Sequence, residues 1–129
     1  MRLEIEYRGR KNTVFTVRDV AGRAPAMEFL ERLKRTDAHS QRALLRRYTS
    51  YGDYGPSMNV AFSRPIKGHG NLFEFKSHQG DRLLYFMLPG GDIALASGFH
   101  KGAPPAPEFE RAARYREAVL KQDKGKGLP

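Results

Sequence analysis

Three short apolar runs in the second half of the chain constrain its fold more than any other feature. They lie at 71–77, 81–88 and 92–99, within NLFEFKSHQGDRLLYFMLPGGDIALASGF. Each run has the length of a strand, is rich in aromatic and aliphatic residues, and ends at turn-forming residues. The paired glycines of PGGD supply the positive φ angles that a tight hairpin needs. The sequence therefore predicts three consecutive antiparallel strands.

Two further strands are predicted at the start of the chain, at 2–8 and 13–18. In the first of them Leu3, Ile5 and Tyr7 alternate with charged residues. Since side chains alternate between the two sides of a strand, these three are predicted to share one buried face.

Helices are predicted before and after the three central strands. Pro25 suits the first turn of a helix, and Asp37 is placed to cap a second helix that runs to about Tyr51. A proline-rich connector then leads to a third helix from about Pro107. These elements predict an α+β protein: an antiparallel sheet with an N-terminal helical hairpin packed on it and a C-terminal helix. One domain is predicted over 1–120, with a flexible basic tail at 121–129.

Charge and composition point to a soluble chain with a polyanionic partner. The formal net charge is +9, which favours encounter with nucleic acid. The absence of cysteine excludes disulfides and thiolate metal sites, and no metal-binding histidine pattern is present, so no cofactor or metal is predicted. Neither a membrane-spanning run nor a signal-peptide pattern is found, which predicts a cytoplasmic location without a membrane partner.

Basic residues occur at each interruption of the three central strands. If residues 77–81 connect the first two, Lys76 and Arg82 lie opposite each other at one end of a hairpin, with Glu74 on the same face. The next hairpin returns His100 and Lys101 to that end, although the turn length decides which face His100 takes. This pattern predicts an anion site; the alternative is that these charges only face water at strand ends.

The order of these motifs resembles the RelE/ParE toxin superfamily, and most closely its HigB-like, phage-derived branch. In that branch a Leu-Tyr/Phe-Glu-Leu-Arg strand precedes a second strand, a Gly-Phe-x-Lys-Lys element and a proline-preceded helix. The matching segments here are 72–76, 81–85, 98–102 and 107–112. The family's opening strand and first helix resemble 15–33, so the likeness covers about 15–116.

The resemblance implies a RelE-like fold and a function as the toxin of a type II toxin–antitoxin system. Such toxins are metal-independent endoribonucleases that cleave mRNA, usually on the ribosome, and thereby inhibit translation. The implied partners are mRNA, the ribosome and a cognate antitoxin, often with a helix-turn-helix domain. The 2′-hydroxyl attacks the adjacent phosphate, which requires a base, cationic stabilisation and an acid.

Residue by residue, the resemblance places Arg82 at the family's phosphate-contacting arginine, a role that suits a forked guanidinium. Lys76 stands where the branch usually has arginine, and Gly102 replaces the second lysine of the Gly-Phe-x-Lys-Lys element. The predicted catalytic residues are Glu74, Lys76, Arg82, His100 and Lys101. The predicted RNA-binding residues are Arg46, Arg64, Lys67 and His69.

The sequence is also compatible with two other functions. Gly102 and Lys76 favour a non-enzymatic relative, such as a ParE-like gyrase inhibitor or a phage protein with another partner. A basic RNA-binding domain without toxicity is the third reading, although no aromatic strand of the RNA-recognition type is evident.

Overall fold

Six strands form one mixed sheet in the computed structural model of the chain, which describes residues 1–59 and 61–126. The strands are β1 (Arg2–Arg8), β2 (Thr13–Arg18), β3 (Ser63–Pro65), β4 (Phe73–Lys76), β5 (Arg82–Met87) and β6 (Ile93–Phe99). Their order across the sheet is β1-β2-β6-β5-β4-β3. Neighbouring strands are antiparallel except β2 and β6, which run parallel.

Three helices cover the two faces of this sheet: α1 (Pro25–Thr36), α2 (Ala38–Tyr54) and α3 (Ala106–Lys126). Helices α1 and α2 bury one hydrophobic cluster against the first face, where Phe29 and Leu44 pack with strand residues such as Leu83. Helix α3 buries a second cluster on the opposite face, where Ala112 and Val119 pack over the strands.

The predicted antiparallel sheet with an N-terminal helical hairpin was wrong. The two strands predicted at the start of the chain, β1 and β2, precede the helical hairpin, so the hairpin is internal rather than N-terminal, and the parallel pairing of β2 with β6 makes the sheet mixed. The reason is topological: the helical hairpin carries the chain from β2 to the far edge of the sheet, and the following strands return until β6 reaches β2. Strand patterns fix local hairpins but not such distant pairings. The nearly continuous apolar runs of β5 and β6 are, however, typical of strands buried on both faces.

The alternation predicted for the first strand is interrupted by a β-bulge between Ile5 and Tyr7. Because one extra residue reverses the alternation, Leu3 packs in the cluster under α3 while Tyr7 packs in the cluster under α1 and α2. The Tyr7 hydroxyl donates a hydrogen bond to Asp53 at 2.9 Å. The prediction that Leu3, Ile5 and Tyr7 share one face was therefore wrong.

The predicted starts of the first two helices were confirmed. Pro25 is the first residue of α1, and the Asp37 carboxylate accepts a hydrogen bond from the Ser40 backbone N–H at 3.0 Å, which caps α2. Helix α3 continues to Lys126, into the segment 121–129 predicted as a flexible tail; residues 127–129 lie outside the described residues. Within the described part of the chain, no helix combines the length and apolarity needed to cross a bilayer.

Candidate cationic groove

Two rows of side chains cross the sheet on the face covered by α3. The first row joins cross-strand partners at the strand ends: Lys76, Arg82 and Phe99. The second row lies two residues further along the strands: Arg64, Glu74, Leu84 and Ser97. The predicted pairing of Lys76 with Arg82, and the placing of Glu74 on the same face, are confirmed.

These rows, the β4–β5 turn and the β6–α3 connector enclose a groove of about 410 Å³. We call it the cationic groove, because four basic side chains line it: Arg64, Lys76, Arg82 and Lys101. They come from β3, from the hairpin of β4 and β5, and from the connector after β6. The fold of the sheet brings these three parts of the sequence together. Such a group of cations suits a phosphate-bearing ligand.

Glu74 lies beneath the basic side chains and is only 3% exposed. Its Oε2 accepts a hydrogen bond from Arg64 Nε at 2.8 Å and lies 3.4 Å from Arg82 Nε. A buried carboxylate between two guanidinium groups holds both in place, so this geometry favours an orienting role for Glu74 over proton transfer. Arg82 Nη1 has no hydrogen-bond partner among the described residues and is itself buried, whereas the Arg82 side chain as a whole is 20% exposed and lines the groove.

His100 does not join the groove. Its ring lies 5.0 Å from that of Phe29 on the α1 face of the sheet, and its Nδ1 is 3.5 Å from Asp81 Oδ1. Successive side chains of an extended chain point to opposite faces, so Phe99 and Lys101 face the groove while His100 faces away. The structure thus gives no support to the predicted catalytic placement of His100.

The predicted RNA-binding residues separate into three places. Arg64 lies in the groove, and the His69 ring packs beside it, 5.7 Å from the Phe109 ring. Lys67 is exposed in the loop between β3 and β4 and is not among the residues that line the groove. Arg46 lies on α2, where it lines a second groove on the opposite face of the sheet.

Several groove residues were not predicted from the sequence. His78 and Gln79 enter from the β4–β5 turn, and Phe99 and Phe109 form the side nearest α3. Among the described residues, His78 is the one histidine that lines the groove, and an imidazole is well suited to proton transfer near neutral pH. The sequence did carry a signal for His78: it lies two residues after Lys76, in a turn between two basic strand ends, which places it near the predicted anion site.

A buried polar network supports the wall of the groove. The Ser40 hydroxyl at the start of α2 lies 2.6 Å from Asp81 Oδ2 and 2.7 Å from the Ser77 hydroxyl. Asp81 Oδ1 accepts a hydrogen bond from the Lys101 backbone N–H at 3.2 Å. All three polar side chains of this network, those of Ser40, Ser77 and Asp81, are at least nine-tenths buried. The network therefore ties α2 and the β4–β5 turn to the strand end that presents Lys101.

Arg47 on α2 supports the other side of the same strand end. Its Nε donates a hydrogen bond to the Lys76 carbonyl at 3.2 Å, and its guanidinium stacks 3.8 Å above the Phe62 ring. Burial lowers the pKa of this guanidinium from its ordinary value, and the neighbouring charge of Arg46 adds to the effect. Arg47 thus fixes the backbone of Lys76 without entering the groove.

Gly102 occupies a turn that other residues adopt with difficulty. Its φ angle is +86°, and the turn is closed by a hydrogen bond from the Ala103 N–H to the His100 carbonyl at 3.1 Å. This left-handed conformation favours glycine at position 102.

We expect Gly102→Ala to lower the free energy of unfolding by about 1–2 kcal/mol, the cost of a left-handed conformation for a residue with a Cβ. Chemical denaturation would measure the change. Gly102→Asn is the control and should lose less, because asparagine tolerates this conformation better. Equal stability of Gly102→Ala and the native chain would contradict the argument.

No family model matches the chain, and a search of the curated proteins found no match. Among the side chains that the structure describes, those of residues 1–59 and 61–122, no three His, Asp or Glu are grouped as a metal site would require. The resemblance to the RelE/ParE superfamily remains a prediction.

Proposed function

We propose that this chain is the toxin of a type II toxin–antitoxin system and a HigB-like member of the RelE/ParE superfamily. In this proposal it is a cytoplasmic endoribonuclease that cleaves mRNA on the ribosome and inhibits translation. The observation that carries the proposal is the Arg82 guanidinium, which lies beside buried Glu74, with 20% of its side chain exposed, in a groove lined by cations.

The proposed reaction uses these groups in distinct roles. The RNA 2′-oxygen forms a bond to the adjacent phosphorus, the bond to the 5′-oxygen breaks, and a cyclic phosphate and a free 5′-hydroxyl result. Arg82 donates to a phosphate oxygen, where negative charge builds up in the transition state. Lys76, Arg64 and Lys101 add positive charge around the same phosphate. His78 takes the proton from the 2′-hydroxyl or supplies one to the leaving oxygen.

The same charge distribution suggests how the activity is controlled. A free toxin would harm its host, so we propose that a cognate antitoxin covers the cationic groove at Lys76, Arg82 and Lys101. Acidic side chains of the antitoxin would pair with these cations in place of RNA phosphates. Lys101 is exposed and Lys76 partly exposed, as such contacts require.

Induced expression in a bacterium, with mapping of RNA 5′ ends, tests the proposed function. We expect growth arrest and new 5′ ends within coding regions for the native chain, and neither for Arg82→Ala. Arrest without new RNA ends would contradict cleavage and favour a gyrase inhibitor or another binding protein. A folded native chain that neither arrests growth nor cuts RNA would contradict the toxin proposal.

A further inference from the structure

The second groove, on the opposite face of the sheet, lies between the C-terminal half of α2 and the chain that leads into β3. Its volume is about 360 Å³, which is within the range of sites that bind small molecules. Three of its lining residues, Arg46, Ser50 and Tyr54, are spaced four apart along α2, so they form a row on one side of the helix. This row begins at a cation and ends, about 12 Å further along the helix axis, at an aromatic ring.

Two adjacent arginines, Arg46 and Arg47, give one end of the second groove a positive charge. Both line the groove, and neither forms an ion pair with a carboxylate of the described residues. Like charges so close together repel each other, most strongly where a side chain is partly buried. An anion that contacts both guanidinium groups would offset this repulsion.

Arg47 is held in a fixed orientation. Its Nε donates a hydrogen bond to the Lys76 carbonyl at 3.2 Å, and its guanidinium stacks 3.8 Å above the Phe62 ring. The Phe62 carbonyl in turn accepts a hydrogen bond from the Lys76 N–H at 2.9 Å, so the three residues hold one another in place. The terminal nitrogens Nη1 and Nη2 of Arg47 donate to no described residue, and neither is fully buried. Two donors of an oriented guanidinium are therefore left for an acid group, which can accept from both.

Aromatic side chains give the same groove an apolar lining. Tyr51 and Phe75 are buried and meet edge to face, with ring centroids 6.4 Å apart. Tyr54, by contrast, is 68% exposed, which leaves its ring available to cover a ligand. The burial of an aromatic ring against such a lining is favourable, whereas a simple anion gains nothing from it.

One carboxylate also lines the second groove, that of Asp53. It follows the two arginines by six or seven residues of α2, a separation of about 10 Å along the helix axis. Both of its oxygens accept hydrogen bonds from the Tyr7 hydroxyl at 2.9 Å, and Oδ1 also accepts one from the Arg10 N–H at 3.1 Å. Because Asp53 is engaged in these contacts, it does not neutralise the arginines. Its charge instead directs the acid group of a ligand to the arginine end.

We propose that the second groove binds a small aromatic acid, a planar ring that carries a phosphate or a carboxylate group. The acid group binds Arg46 and Arg47, and the ring lies against Tyr54. The volume of the groove, near the lower end of the range for small-molecule sites, suits one ring with one acid group. The second groove shares no lining residue with the cationic groove, so its occupation does not depend on RNA cleavage.

Phenyl phosphate is the probe, and inorganic phosphate is the comparison that lacks the ring. Titration of the isotope-labelled chain, followed by the NMR shifts of its backbone amides, locates each binding event. We expect the amides of Ser50, Tyr54 and Phe62 to report a Kd for phenyl phosphate about tenfold lower than that for inorganic phosphate, the gain from half burying one aromatic ring. The amides of Arg82 and Lys101 report any separate binding in the cationic groove.

Three variants test the assigned contacts. Arg46→Gln should weaken the binding of phenyl phosphate in the second groove about tenfold, because it removes one of two charged donors, and it should leave the response in the cationic groove unchanged. Tyr54→Leu should lose most of the preference for phenyl phosphate and keep its affinity for inorganic phosphate. Arg42→Gln is the matched control, because Arg42 is an exposed arginine of the same helix that does not line the groove. It should bind with the native affinity.

Shifts confined to the amides of the cationic groove would overturn the proposal, as would equal affinity for the two probes at the amides of the second groove. Native affinity in Arg46→Gln, or equal losses in Arg46→Gln and Arg42→Gln, would also contradict it. A peptide with one tyrosine between two aspartates tests the other possible occupant. If it binds more tightly than phenyl phosphate, the groove belongs to a segment of a partner protein and the small-molecule site is wrong. The amide spectrum of each variant verifies that the fold is retained.

Discussion

Arg82→Lys is expected to slow RNA cleavage by roughly 100- to 1,000-fold, the usual effect of removing one preorganised donor to a developing anion. Lysine keeps a positive charge beside Glu74 but lacks the forked guanidinium. In the native chain Arg82 Nε faces Glu74 at 3.4 Å, while 20% of the side chain stays exposed in the cationic groove. A single ammonium group does not fill both positions with the same geometry. The binding of RNA should weaken much less than the rate of cleavage falls.

Single-turnover cleavage by the purified chain, on free and on ribosome-bound mRNA, measures this effect. Arg114→Lys is the matched control, because Arg114 is an exposed residue of α3 that does not line the groove. It should cleave at the native rate. Similar rates for Arg82→Lys and the native chain would remove Arg82 from the reaction, whereas equal losses in both variants would indicate a general effect of arginine replacement.

Asp81→Ala is expected to lower the free energy of unfolding by roughly 2–4 kcal/mol, because it leaves several buried polar groups without partners. The Ser40 hydroxyl would lose its contact with Oδ2, and the Lys101 backbone N–H would lose its contact with Oδ1. Asp81→Asn keeps one oxygen acceptor, so its free energy of unfolding should fall by less than that of Asp81→Ala. Cleavage should also fall in Asp81→Ala, since Lys101 loses the anchor of its backbone.

Urea denaturation with a constant m-value gives the stability change. Asp19→Ala is the exposed control: the Asp19 carboxylate accepts hydrogen bonds from Ala21 and Arg23 in an exposed turn. Because water replaces exposed partners, this control should lose about 1 kcal/mol or less. Equal decreases in the free energy of unfolding for Asp19→Ala and Asp81→Ala would mean that the burial of the network contributes nothing measurable to stability. In that case the supporting role assigned to Asp81 is wrong.

The sequence predicted those features that depend on neighbouring residues. The start of α1 at Pro25 and the Asp37 cap depend on local backbone chemistry, and both are present. The pairing of Lys76 with Arg82 depends only on a short turn between two strands, and it too is present. The bulge after Ile5 was missed, because its extra residue follows from the fit of β1 against two different cores.

By itself, the sequence determined the local hairpin that places Lys76, Arg82 and Glu74 on one face. Only the tertiary structure decided what surrounds them: β6 lies beside β5, α3 covers this face, and Phe109 closes the groove. The tertiary structure also places His100 on the opposite face of the sheet, against Phe29, and places His78 in the lining of the cationic groove. The physical reason is that alternation and turn chemistry act over a few residues, whereas contacts between distant segments depend on how the two faces of the sheet are buried.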